Sequence, residues 1–467
     1  MISMFFSRFS HMVREYFFPE GEQVFFKRWG EVALMLFFVT LFIPLKLHAY
    51  ETLFFSSGDA NPYQTFFLYL SDLFLLGSFF AFSIHFFLHH EDVKNLTWGN
   101  RAILFFWLLL LTLGEISIFI SPDFTLSFLL VLRFLECFFL YLVLINNLVS
   151  LEKIFLIIVF GLLGESVLGI CQYVLGSSVG LSFLGEPPLA KTMSGVATLM
   201  TSGGKILRAY GNFLHPNIFA AYLIFGFFAI KNVYRRAPYP YGIITFIFFF
   251  AFLLTFSRTA FFAGLIGFGI YYYLTKRHLS LRTILTMSTV LLILLVSFNV
   301  GALLFSRMKF DDHQALQFRS QNFADGVRLA LDHPLGVGLG ESSSAIQLVV
   351  PDKLSPWEYQ PPHNLFLVVS SEIGLAGLAL FVFLFAYVFI HLYQRRKLSP
   401  QVFTLWIALF LLSLTDHYFF SLYHGNIFFT VVLAIAAITL QSNPDHVTAR
   451  AHQEEVLPEV SQPKSVS

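Results

Sequence analysis

A few polar residues stand apart in a chain that is otherwise strongly apolar. His363 follows Pro361-Pro362 and precedes Asn364 and a long apolar run. The two proline rings fix its backbone approach, and an imidazole there can take a proton from a hydroxyl near neutral pH. Arg258 stands without charged neighbours in Leu254-Thr255-Phe256-Ser257-Arg258-Thr259-Ala260. Arg208 opens Arg208-Ala209-Tyr210-Gly211-Asn212-Phe213-Leu214-His215-Pro216-Asn217. A guanidinium stays charged in a partly dry site and matches phosphate oxygens bidentately, so both are candidate anion ligands. Arg319 and Arg328 lie in the polar stretch 306–362, upstream of His333-Pro334-Leu335-Gly336-Val337-Gly338-Leu339-Gly340. Asp416, in Leu414-Thr415-Asp416-His417-Tyr418, is costly at the end of a span unless His417 or an arginine offsets its charge.

Each candidate has a structural counterpart. Arg258 can snorkel to lipid phosphates, and Arg208 can anchor at the interface. His363 can cap a helix. Arg319 and Arg328 can be solvated charges on a lid. Pro216-Asn217 fits an ordinary helix start, and His215 fits either kind of role.

The elements that must hold these residues are membrane spans. Of 467 residues, 57% are hydrophobic, 12% are charged and 61 are Phe, which marks an all-α polytopic membrane protein. Apolar runs predict about twelve transmembrane helices, near 31–48, 65–88, 102–121, 124–148, 153–176, 213–230, 241–256, 259–275, 283–305, 363–390, 401–417 and 420–440. Cys137 and Cys171 fall in apolar runs and read as reduced, buried residues. No cleaved leader is legible, so the first span is expected to be retained.

Lys94, Arg101, Lys153, the cluster Lys231, Arg235, Arg236, then Lys276, Arg277, Arg282 and Arg395, Arg396, Lys397 all fall on one side of a twelve-span arrangement. That side is the cytoplasm, together with both termini. The expected organisation is a cytoplasmic N-terminus over 1–30, helices one to nine over 31–305, a large external loop over 306–362, helices ten to twelve over 363–440, and a disordered cytoplasmic tail over 441–467. Within the loop, Phe323, Val327 and Leu331 recur at helical spacing, Arg328 and Asp332 are four apart, and Pro334 ends the helix. Such a helix would lie over the outer mouth of the bundle. The glycine run follows a helix rather than a strand, so it is not a dinucleotide fingerprint.

Arg208, Gly211, Pro216-Asn217, Ser257-Arg258-Thr259-Ala260, the His333–Gly340 run, His363-Asn364 and Glu372-Ile373-Gly374-Leu375-Ala376-Gly377 together resemble the O-antigen ligase and polymerase superfamily over roughly residues 200–390. The Asp416-His417-Tyr418 hairpin is similar to that of several ligase-like members. The resemblance implies a C-type glycosyltransferase-like fold with one large periplasmic loop, in the bacterial inner membrane. It also implies a metal- and cofactor-independent, inverting transfer of glycan from undecaprenyl diphosphate to a lipid A–core acceptor. Carried over by position, His363, Arg258 and Arg208 are the catalytic residues. Arg319, Arg328, Asn364 and Asp416 are expected to contact substrate. A polymerase of the lipid-linked glycan and a protein O-oligosaccharyltransferase use the same donor and stay open. Nucleic acid is not an expected partner. A transporter or flippase is the reading from another class, and the one-sided polar clustering speaks against it.

Overall fold

The computed structural model describes residues 22–51, 63–201, 204–233, 239–275, 313–349 and 359–441. The expected span 283–305, the basic residues Arg235, Arg236, Lys276, Arg277 and Arg282, and the C-terminal tail lie outside them.

The chain is mostly helical. In order come α1 (Glu22–Thr40), β1 (Lys46–Glu51), β2 (Thr65–Tyr69), α2 (Leu70–Leu88), α3 (His90–Val93), α4 (Arg101–Ile120), α5 (Phe124–Ile145) and α6 (Leu151–Leu175). They are followed by β3 (Thr198–Thr201), β4 (Gly204–Leu207), α7 (Pro216–Val233), α8 (Tyr239–Leu254) and α9 (Arg258–Thr275). Helices α10 (His313–Asp332), α11 (Ser342–Val349), α12 (Leu365–Gln394), α13 (Pro400–Ser413), α14 (Tyr418–Ser421) and α15 (Tyr423–Gln441) complete the fold. Among the described residues, α2, α4, α5, α6, α12 and α15 are long and apolar enough to cross a membrane, and α7, α8 and α13 contain shorter apolar helices. At 1.5 Å per residue, helices of about 20 residues match a hydrocarbon core roughly 30 Å thick.

Several expectations need amendment. The chain is not purely helical: β1 pairs antiparallel with β2, and β3 with β4. The first helix covers Glu22–Thr40 rather than 31–48, because Pro44 follows the helix end and the chain continues as strand from Lys46. Residues 65–69 likewise form β2 instead of starting the second span. Cys137 is buried as expected, but Cys171 is exposed on the bundle surface, and both are free thiols.

The His333–Gly340 run docks against a break in α12. Ile373 and Gly374 leave helical geometry, with Gly374 at φ +74°. The orphaned backbone groups are taken by the loop: Val337 N–H donates to the Ser371 carbonyl, Gly338 N–H to that of Glu372, and Leu375 N–H to that of Pro334. Gly340 N–H (2.8 Å) and the Ser342 hydroxyl (2.6 Å) donate to the buried Glu372 carboxylate. A Cβ at Gly374 would lie 2.6 Å from the Pro334 carbonyl oxygen, and one at Gly336 would meet that of Glu372, so both positions need glycine. The run is thus a structural clasp that presses α10 onto α12.

Which face of α10 it presses differs from the pattern read in the sequence. Phe323 and Leu331 are 52% and 70% exposed, whereas Asn322, Gly326 and Leu329 are buried. Gly326 sets this choice, since a Cβ there would collide with Pro362.

Candidate active site

The loop ends at one end of the bundle bring the candidate residues together. After α8 the chain reverses through Thr255, Phe256 and Ser257 directly into α9. Phe256 takes a left-handed φ of +48°, unusual for an aromatic residue, and its buried ring stacks on Tyr173. The turn places Arg258 in the first helical position of α9. Ser257 N-caps that helix by its carbonyl, which accepts from Phe261 N–H at 2.9 Å. Its hydroxyl is buried with no hydrogen-bond partner.

Arg258, Arg208 and Arg319 line one cavity of about 170 Å³, together with Ser257, Thr259, His215, Gln360 and His363. Three guanidiniums, the N-terminus of α9 and an orphan hydroxyl make a site for an anion with several oxygens. Arg208 is buried and anchored: Nε donates to the Thr255 carbonyl at 2.6 Å and Nη2 to Asn217 Oδ1 at 2.9 Å. Arg319 reaches the cavity from the Asn322–Gly326 face of α10. Arg328 does not line it; exposed on the opposite side, it pairs with Asp332 at 3.5 Å.

His363, His215 and Gln360 also line a second cavity of about 210 Å³, with Asp416, His417, Tyr63 and Tyr418. The two cavities therefore share a wall, and His363 stands in it. Its backbone N–H donates to Asn322 Oδ1 at 2.7 Å, tying it to α10. Its Nδ1 lies 3.7 Å from Asp416 Oδ1, longer than a hydrogen bond but close enough for strong electrostatic coupling. Asp416 is buried, accepting from Asn217 Nδ2 at 3.1 Å and from the His417 N–H at 3.0 Å. Burial would push its carboxyl up, yet His363 and the neighbouring histidines hold it well below the usual carboxylate range. Burial pushes His417 down to about 3, against the pull of Asp416. It pushes His215 to about 3 as well, assisted by Arg208. Near neutral pH, Asp416 is an anion and both of these histidines are neutral. An anion facing Nδ1 favours the tautomer with the proton there, which leaves Nε2 of His363 as the basic atom.

Asn364 plays a different part. Its Oδ1 caps α12 by accepting from Phe366 and Leu367 N–H, and its Nδ2 donates to the Leu414 carbonyl at 3.0 Å. It fixes His363 and Asp416 relative to one another and lines neither cavity. Ligand atoms of His363, Asp416 and His417 lie within 4.8 Å of one another, a spacing that a divalent ion could bridge. His417 Nδ1 is already engaged with Ser421 Oγ at 2.5 Å, leaving only its Nε2 for such a role.

In sequence, Asn217 is legible only as part of a helix start. It bridges Arg208 and Asp416, and nothing local signals a partner 199 positions away. Tyr63, Gln360 and Ser257 were likewise not legible as wall residues. Ser257 ahead of Arg258 is the one local hint, since serine is a preferred residue at a helix start.

Residues 243–382 match the family model of O-antigen ligase. The match takes in Arg258, Arg319, Arg328, His363 and Asn364, while Arg208, Asn217, Asp416 and His417 lie beyond it. No curated protein matches the chain.

Proposed function

From a chain that carries the O-antigen ligase family's domain, we propose an enzyme that transfers O-antigen, or a related glycan, from undecaprenyl diphosphate to a lipid A–core acceptor at the periplasmic face of the bacterial inner membrane. The observation that carries this reading is the shared wall: an arginine-lined cavity adjoins a cavity holding a carboxylate-backed histidine. An anionic leaving group and a proton acceptor are thereby set on either side of one reacting centre.

The donor's diphosphate occupies the arginine cavity. Nε2 of His363 takes the proton of the acceptor hydroxyl as its oxygen attacks the anomeric carbon. The bond from that carbon to the phosphate oxygen breaks with its electron pair, and the diphosphate leaves from the opposite face, which inverts the anomeric configuration. Charge grows on the departing oxygens, where Arg258, Arg319, Arg208 and the first N–H groups of α9 stabilise it most. Asp416 offsets the imidazolium that forms. The proton then passes to solvent, and no metal or nucleotide enters the balance.

Lys94, Arg101, Lys153 and Arg395–Lys397 flank the helix ends opposite this site, which supports a cytoplasmic far end, twelve crossings and a periplasmic 306–362 loop. The test is surface-glycan electrophoresis of a deletion strain, paired with the purified reaction in chelator. Loss of every glycan-capped lipid A–core, with lipid-linked polymer accumulating, is the expected result. A remaining single-repeat cap would make the enzyme a polymerase, and dependence on added metal would overturn the chemistry.

A further inference from the structure

A third cavity, of about 240 Å³, opens beside the second, and Leu214 lines both. Its wall includes Lys46, Tyr69, Asn212, Pro187 and the rim residue Ser182. We infer that this cavity is a saccharide subsite for the acceptor, holding a sugar ring that bears an anionic substituent next to the hydroxyl presented to His363.

Lys46 is the exposed cation of the wall, with Nζ 4.0 Å above the Phe67 ring, on a strand whose partner supplies Tyr69. Glu186, the acidic residue there, is already saturated. It accepts from Gln172 Nε2 at 3.0 Å and from the N–H groups of Val179, Gly180 and Leu181 at 2.7–2.8 Å. It therefore organises the loop and does not compete for Lys46. Asn212 donates Nδ2 to Glu165 at 3.0 Å and to the Phe42 carbonyl, which leaves its buried Oδ1 with no partner. A sugar hydroxyl would satisfy that orphan acceptor. The apolar proline surface suits the C–H face of a ring. The wall is also stiff: Tyr69 stacks on Tyr423 at 4.2 Å and donates its N–H to Asp72, which is locked to Arg133. A preformed site avoids an ordering cost on binding.

This inference rests on the transfer reading, and the experiment separates the two. Detergent-purified wild type, Lys46→Gln, Lys46→Arg and Ser182→Trp are assayed with lipid-linked donor and lipid A–core. Lys46→Gln should raise the acceptor KM about tenfold, the effect of losing one charged hydrogen bond, with donor KM unchanged. Lys46→Arg should restore most of it, and Ser182→Trp should mimic Lys46→Gln by filling the cavity. A rise in donor KM instead, or no change in either, overturns the proposal. If wild type shows no transfer at all, the transfer reading fails. The pocket is then judged by saturation-transfer NMR with delipidated core oligosaccharide. Binding lost in Lys46→Gln supports a saccharide subsite, and equal or absent binding in wild type and variant overturns it.

Discussion

Two arginine–carboxylate arrangements in this molecule serve opposite ends. Between α2 and α5, Arg133 meets Asp72 through two hydrogen bonds of 2.5 and 3.0 Å, with Glu136 a further 2.7 Å contact. The Arg133 and Asp72 charges offset one another where water is scarce, and the group acts as a rivet. At the candidate active site, Asn217 stands between Arg208 and Asp416, bonded to each. The amide stands between the two charges, and each faces a different neighbour: the guanidinium lines the cavity with Arg258 and Arg319, and the carboxylate faces the His363 imidazole. A directly paired arginine is a poor anion ligand because its charge is already spent. In the second arrangement one neutral side chain, Asn217, stands between Arg208 and Asp416, and on the proposed function this is what lets the guanidinium serve the anion.

The sharpest contrast between the two should come from deleting their key members. His363→Ala should lower kcat by about 10²–10⁴ while leaving the protein inserted and donor binding intact. His363→Gln should fail almost as badly, since it keeps shape without basicity; near-normal transfer by it would leave His363 a structural role. Arg133→Ala should do the reverse. Removing one partner of a buried pair costs about 3–5 kcal/mol. The yield of folded protein and its thermal midpoint should therefore fall, with turnover per folded molecule preserved.

Next in size is the chemistry of the arginine. Arg258→Lys keeps the charge but loses the planar fork, and kcat/KM should drop at least tenfold if the contact is bidentate. Retention of wild-type turnover at equal expression would favour a lipid anchor. Asn217→Asp turns the separated arrangement into the riveted one, by placing a carboxylate 2.9 Å from Arg208. The donor KM should rise by roughly tenfold as that guanidinium is neutralised, and an unchanged donor KM would show that Arg208 gives the anion nothing.

Acid should loosen the candidate site. As pH falls from the ordinary histidine value of 6.5 towards about 3, the unfolded chain binds protons at His417 and His215 that the folded site refuses. Stability therefore rises with pH across that window and is lost on acidification. The thermal midpoint should be lower at about pH 4.5 than at about pH 7, and His417→Gln should shrink the difference. The smallest effect is expected at Arg328, whose pairing with Asp332 is exposed and worth at most about 1 kcal/mol. Arg328→Ala should leave transfer within a factor of about three, in contrast to Arg319→Ala.

The sequence by itself determined the apolar helices, because a run of about 20 apolar residues has few alternatives to a span. It also singled out His363, Arg208, Arg258 and Asp416, since isolated charges and a proline-held histidine beside apolar runs are costly without a purpose. It predicted a helix before Pro334, which the structure contains as α10. Tertiary structure decided the rest. On α10, Arg319 and Arg328 are equally plausible by spacing, and only the close approach of Gly326 to Pro362 turns Arg319 towards the cavity and Arg328 away. The Glu372-Ile373-Gly374 break in α12 exists because the glycine run supplies hydrogen bonds to its opened backbone from more than 30 residues upstream. Asn217 gained its place between the charges from a partner 199 positions along the chain. Apolar periodicity is a local property and can be read along the chain, whereas the separation of two charges by an amide is a contact in space.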